Sequence, residues 1–196
     1  MTTNLNTSLL RRAGIAFSIT GLGYLAFGFP FWFLGAQDEV VKGKVMLSFF
    51  YLRDELFPAE LNFWIGFIGI AAMFFGLFSL WKIAEPTGLE RRSRFYFPMT
   101  GAVFYFLGLW MPVPFAPMGA FLTGLGMIIV GLASIKAKMW PGWKRYIPLI
   151  VGCFPFVFMF PLLIITGARP PAMIGLWGFP WIAMGVAAWQ RSKEGD

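Results

Sequence analysis

The chain has no histidine, one cysteine and little charge: only 13% of its 196 residues are Asp, Glu, Lys or Arg. The missing histidine removes the commonest ligand of haem iron, copper and zinc, and the usual general base near neutral pH. Cys153 stands alone in an apolar run, which excludes an intramolecular disulfide and a thiolate metal cluster. No cofactor, metal site or catalytic residue is assigned on these grounds. Charge is also absent from long stretches: none falls between Arg12 and Asp38, Glu60 and Lys82, Arg94 and Lys136, Arg145 and Arg169, or Arg169 and Arg191. Each gap is long enough to cross a hydrocarbon layer about 30 Å thick.

What is present fits that solvent. The chain is 58% hydrophobic and 19% aromatic, with a mean hydropathy of +0.70, more apolar surface than a water-soluble domain of this length can bury. The net charge of +7 does not point to nucleic acid, because the basic residues sit at the ends of apolar segments and form no separate basic domain. The first apolar stretch, Ala13 to Gly35, has no small-residue cleavage site flanked by polar sequence and reads as a retained span.

The expected fold is all-α: residues 1–196 as one polytopic membrane bundle of six transmembrane helices in three antiparallel hairpins. The spans fall at about Ala13–Gly35, Leu61–Trp81, Phe95–Met111, Met118–Ile135, Tyr146–Gly167 and Ala172–Trp189. The uncharged run from Phe95 to Ile135 would make one helix about 60 Å long, so it must be divided. Pro112, Pro114 and Pro117, which remove backbone donors, mark the break. Lys and Arg then distribute unevenly. Arg11, Arg12, Lys82, Arg91, Arg92, Arg94, Lys136, Lys138, Lys144, Arg145, Arg191 and Lys193 lie on one side; Lys42, Lys44, Arg53 and Arg169 lie on the other. The positive-inside rule places the richer side and both termini in the cytoplasm. A prokaryotic cytoplasmic membrane is the expected location. Eight tryptophans, Trp140 and Trp177 among them, fall near expected span ends, where an indole suits the interface.

The even spans end alike, in Gly76-Leu-Phe-Ser-Leu-Trp-Lys82, Gly131-Leu-Ala-Ser-Ile-Lys136 and Gly185-Val-Ala-Ala-Trp-Gln-Arg191. This is the pattern of a hairpin repeated three times, or of basic residues closing cytoplasmic helices in glycine-rich sequence. Gly69, Gly76, Gly126, Gly131 and Gly185 are expected to serve helix packing. Pro148, Pro155, Pro161 and Pro180 free backbone carbonyls and should bend their helices. No Asp, Glu, Lys or Arg lies within a span, so the side chains of Ser18, Thr20, Tyr24, Asn62, Ser79, Thr100, Tyr105, Thr123, Ser134 and Thr166 are the polar groups at depth. Each is expected to bond within its own helix or to a neighbour.

Residues 36–60 form the expected extracytoplasmic loop, either solvated or carrying an interfacial helix. Asp38, Glu39, Asp54, Glu55 and Glu60, with Arg169 of the last outer turn, make a candidate outer polar cluster. Arg91, Arg92, Arg94, Lys136, Lys138, Lys144 and Arg145 are candidate contacts for anionic lipid headgroups on the inner face. Three functions remain open. The first is a non-catalytic subunit that packs with and stabilises a larger membrane complex, with membrane lipids and other membrane subunits as partners and no nucleic acid. The second is a channel or carrier for a neutral or lipid-like molecule. The third is an enzyme using the outer-loop carboxylates on a lipid or envelope precursor.

Overall fold

The computed structural model describes residues 2–33, 59–89, 91–166 and 170–194. Its helices are α1 (Thr2–Phe33), α2 (Ala59–Lys82), α3 (Tyr96–Leu107), α4 (Pro112–Ala137), α5 (Ile147–Phe154), α6 (Phe160–Thr166) and α7 (Pro170–Lys193). 3-10 turns at Arg92–Phe95 and Gly142–Tyr146 lead into α3 and α5. A π-helical turn, Pro155–Met159, joins α5 to α6. The protein is all-α, with no strand among the described residues. Three stretches, Phe63–Lys82, Pro114–Ala137 and Gly142–Leu162, are helical, long and apolar enough to cross a membrane.

The proline cluster behaves differently from the sequence expectation. Pro112 and Pro114 begin α4 instead of forming a turn, and Pro117 lies within it. The first residues of a helix have no carbonyl to bond to, so proline's missing N–H costs nothing there and its fixed φ favours the helix. The chain reverses earlier, at Gly108 to Met111, where Met111 leaves helical geometry with φ −130 and ψ 82. α3 is correspondingly short, 12 residues or about 18 Å.

Each long element packs on two others, giving a ring in the order α1, α2, α3, α4, α5, α7. α1 and α7 share by far the most extensive contact. α7 touches α5 and α6, its chain neighbours, much less, so the third expected hairpin is the loosest of the three pairs of chain neighbours.

The α1–α7 contact depends on glycine. A Cβ on Gly21 would sit 2.5 Å from the Gly178 carbonyl oxygen, and one on Gly14 2.9 Å from that of Gly185. Gly14 and Gly21 are seven residues apart, as are Gly178 and Gly185, so two successive turn pairs present bare backbone along one seam. Ser18 fills the space between them, against Gly185, with its hydroxyl donated to the Gly14 carbonyl at 2.9 Å.

The other glycines singled out in the sequence also meet neighbours. Gly69 faces Gly23 of α1; Gly76 carries the Phe17 ring; Gly126 takes Pro98 of α3; Gly131 lies on the Leu149 backbone. The equivalent glycines of the expected repeat, Gly76, Gly131 and Gly185, thus receive a ring, a backbone and a serine respectively. Between helices in an apolar solvent such close van der Waals contact is the main attraction available.

Gly21→Ala is expected to cost about 1–3 kcal/mol by overpacking, because the blocking atom is backbone and cannot rotate away. Gly66→Ala, whose Cβ would meet only the Leu109 side-chain end at 3.2 Å, should cost clearly less. Thermal unfolding of the two variants in the same detergent checks the order.

Candidate functional site

The ring's interior is occupied, not open. Tyr24 from α1, Tyr105 from α3 and Trp177 from α7 meet with ring centroids 6.1 to 6.3 Å apart. Trp181, one turn further along α7, lies 5.7 Å from Trp177 and 5.3 Å from Phe17. Phe17, Met73, Leu77, Met127, Val130, Val151 and Met184 complete the filling, all fully buried.

Trp177 is placed by a proline. Pro155 has no N–H, so the carbonyl of Val151, four residues earlier, lacks its helical partner. The indole Nε1–H of Trp177 donates to it at 2.9 Å. The register beyond shifts by one residue, with the Phe160 amide donating to the Pro155 carbonyl, a five-residue step. This π turn is the local distortion produced where proline interrupts the ladder. Trp177 is therefore a core residue, not an interfacial one. Trp140 is also fully buried, with its Nε1–H donated to the Thr87 carbonyl at 2.9 Å. Among the described residues, Trp64, Trp110 and Trp143 are the indoles that remain exposed.

The polar groups at depth divide into two kinds. Ser18, Thr20 and Ser79 each donate to the carbonyl four residues back in their own helix. Tyr24 reaches further, its hydroxyl 3.6 Å from the sulfur of Met73. The hydroxyls of Tyr105, Thr123 and Ser134 and the indole N–H of Trp181 are buried without a hydrogen-bond partner among the described residues. Tyr105, only 4% exposed, is the unpaired group beside a hollow. This is a cleft of about 80 Å³ in the half of the ring away from the termini, lined from five helices by residues including Tyr24, Phe27, Gly66, Tyr105, Ala116 and Ile174.

The opposite, basic end is closed. Ile83, Ala84, Thr87 and Leu89, in the turn after α2, are buried under it, and Trp140 pins that turn. Gly88, at φ +76, is held against Met139. Several cations there lie over aromatic faces: Arg11 is 4.9 Å and Lys193 6.0 Å from the Trp189 ring, Arg92 is 5.6 Å from Trp81 and Arg145 4.8 Å from Tyr146.

Of the candidate headgroup contacts, Arg91, Arg92, Lys136 and Lys138 are exposed, and Arg94 and Arg145 are half-buried. Arg92 also donates to the Lys82 carbonyl, and Lys138 forms the left-handed cap of α4 at φ 55. Lys144 differs from the rest: it is buried and ion-paired with Glu194, which Arg191 approaches at 3.7 Å. A carboxylate in a short tail of mixed charge gave no sequence signal for this pairing across 50 residues. Asp38, Glu39, Asp54, Glu55 and Arg169 of the outer cluster lie outside the described residues, as does most of the 36–60 loop. Glu60 falls in the first turn of α2, and its side chain is likewise outside them. Among the described residues no group of histidine, cysteine and carboxylate side chains is arranged to hold a metal ion.

Comparison with family models, with curated proteins and with solved structures returns no match.

Two outcomes follow from the Trp177 hydrogen bond. Trp177→Phe should destabilise the protein by about 1–3 kcal/mol, since a buried carbonyl loses its donor. In a Pro155→Ala background the restored amide can take that carbonyl, so the same change should cost about 1 kcal/mol less. A double-mutant cycle by thermal or chemical unfolding checks both; equal costs in the two backgrounds would refute the account.

Proposed function

We propose that this chain is a six-span membrane protein with both ends in the cytoplasm, and that it is a non-catalytic subunit that packs against other helices of a larger membrane complex. Three stretches meet the length and apolarity of a span by themselves. The short α3 and the 3-10 turn before it make one coil from residue 92 to residue 107, roughly 26 Å long, a few ångströms short of hydrocarbon thickness. The twelve cations named above gather at one end of the ring, the arrangement that the positive-inside rule requires of a cytoplasmic face.

The observation carrying the subunit reading lies on the wall formed by α5 and α6. It contains the π turn, has the looser neighbour in α7, and exposes Val157, Phe158, Ile164 and Ile165. Ile164 and Ile165, at 83% and 78%, are more exposed than any other large hydrophobic residue described. π turns are frequent at functional sites, and this bulky apolar ridge suits a transmembrane helix of another subunit. A filled interior, with Phe17, Trp177 and Trp181 fully buried across it, favours this role over a channel.

Membranes bearing Cys153→Ser with either Asn4→Cys or Lys193→Cys are expected to resist a membrane-impermeant maleimide until they are permeabilised. Labelling of intact cells at either position would overturn the topology. In native gels of gently solubilised membranes the chain should migrate well above its own 22.1 kDa, and Ile164→Asn with Ile165→Asn should shift it toward the free chain. Migration as a lone monomer before substitution would overturn the subunit role.

A further inference from the structure

The seam between α2 and α3 is one of the looser contacts in the ring. A wholly apolar groove of about 250 Å³ runs along it, lined by Ala71, Phe74, Phe75, Ala102, Val103 and Phe106. The groove opens on the outer surface, where Phe75 and Val103 are exposed. From Phe74 a row of rings leads along α2 to the basic end. Phe74 stacks on Phe78 with centroids 6.5 Å apart, and Phe78 stacks on Trp81 at 5.4 Å. Phe78 and Trp81 are half-buried, so the row lies at the surface. Two cations close it: the Lys82 ammonium is 4.7 Å from the centre of the Phe78 ring, and the Arg92 guanidinium 5.6 Å from that of Trp81. Arg92 also donates to the Lys82 carbonyl at 3.3 Å, which ties the turn before α3 to the end of α2 and brings both charges to one end of the seam.

We infer that this surface binds one anionic phospholipid, with its phosphate held by Lys82 and Arg92 and an acyl chain laid along the stacked rings into the groove. Both cations are exposed, and neither is ion-paired with a carboxylate among the described residues. A cation over an aromatic face keeps its charge, and Arg92 commits one of its five N–H donors to the Lys82 carbonyl, so both side chains retain donors for phosphate oxygens. The segment from Lys82 to Arg94 carries four cations against two carboxylates, Glu85 and Glu90, which favours an anion there. Depth selects the tail. On α2 the groove extends from Phe75 to Ile70, roughly 10 to 18 Å along the axis from Lys82, and the hydrocarbon of one leaflet is about 15 Å deep. A chain hanging from a phosphate at Lys82 therefore reaches the groove within its own leaflet. A free phosphate makes no use of the groove, and an uncharged lipid makes none of the cations; an anionic head on a slender tail engages both.

The inference rests on the membrane reading above, and the test separates the two. The full chain is reconstituted in phosphatidylcholine vesicles containing a small fraction of phosphatidylglycerol with a diazirine midway along one acyl chain. After illumination, adducts are expected to concentrate on the peptides containing Phe75 and Val103, and excess unlabelled phosphatidylglycerol, but not diacylglycerol, should compete them away. Lys82→Gln with Arg92→Gln should reduce this labelling about thirtyfold at low probe concentration, the equivalent of two cations withdrawn from an anionic lipid. Lys82→Arg with Arg92→Lys, which keeps both charges, should retain most of it. Val103→Trp, which fills the groove and leaves both cations in place, should abolish the concentration of adducts on the Phe75 peptide. Arg12→Gln with Lys193→Gln removes two exposed cations from the same end of the ring, on α1 and α7, and should leave labelling unchanged. Adducts spread evenly over exposed residues such as Ile164 and Phe179, equal competition by diacylglycerol, or an equal loss from the α1 and α7 pair would overturn the proposal. Competition on the parent chain decides the case even where a variant fails to fold. A chain that does not float with the vesicles would instead overturn the membrane reading.

Discussion

Ring closure depends on how closely the backbones of α1 and α7 approach. In the membrane setting proposed above the solvent is as apolar as the helices, so attraction must come from contact itself. Gly14 and Gly21 against Gly178 and Gly185 supply that contact over two successive turns, with no side chain to hold the helices apart. With α1 and α7 fixed, Phe17 and Trp181 are brought to 5.3 Å and Tyr24 and Trp177 to 6.1 Å. The aromatic filling is thus set in place by the smallest residues in the chain.

Hydrogen bonding inside the ring follows a second economy. A helix buried in apolar surroundings must satisfy its own backbone, and proline is where that self-sufficiency fails. At Pro155 the failure is repaired from another helix, by the Trp177 indole. The hydroxyls of Ser18, Thr20 and Ser79 turn back on their own helices, so they add little to the ring's specificity. Tyr105 does neither and remains the group whose hydrogen bonding the fold leaves incomplete beside a space.

Much of the architecture was legible because solvent sets its rules one residue at a time. Charge-free gaps located the helices, and clustered Lys and Arg marked one end. Hydropathy carries α3 on to Met111 because it does not register where Gly108 to Met111 leave the helix, and it does not distinguish a proline turn from prolines that fit within a helix's opening turns. Trp177 was assigned to an interface because its position near a span end is the same whether it faces lipid or a freed carbonyl; only the packing of α7 across Pro155 distinguishes the two. Lys144 looked like any other inner-face cation, since its partner Glu194 lies 50 residues away. The unpaired state of Tyr105 was not legible at all, being a property of three helices at once.

A chain whose first and last described helices form its tightest pair has an order of assembly built into it. The stripe of α1 at Gly14 and Gly21 has no counterpart until α7 has been synthesised. Until then Tyr24 and Phe17 lack the Trp177 and Trp181 rings they meet in the closed ring, and the nascent bundle is held by neighbours close in sequence. Closure is a long-range step with a large separation along the chain, the kind that is slow to form. Before closure the glycine seam of α1 is an open edge of bare backbone.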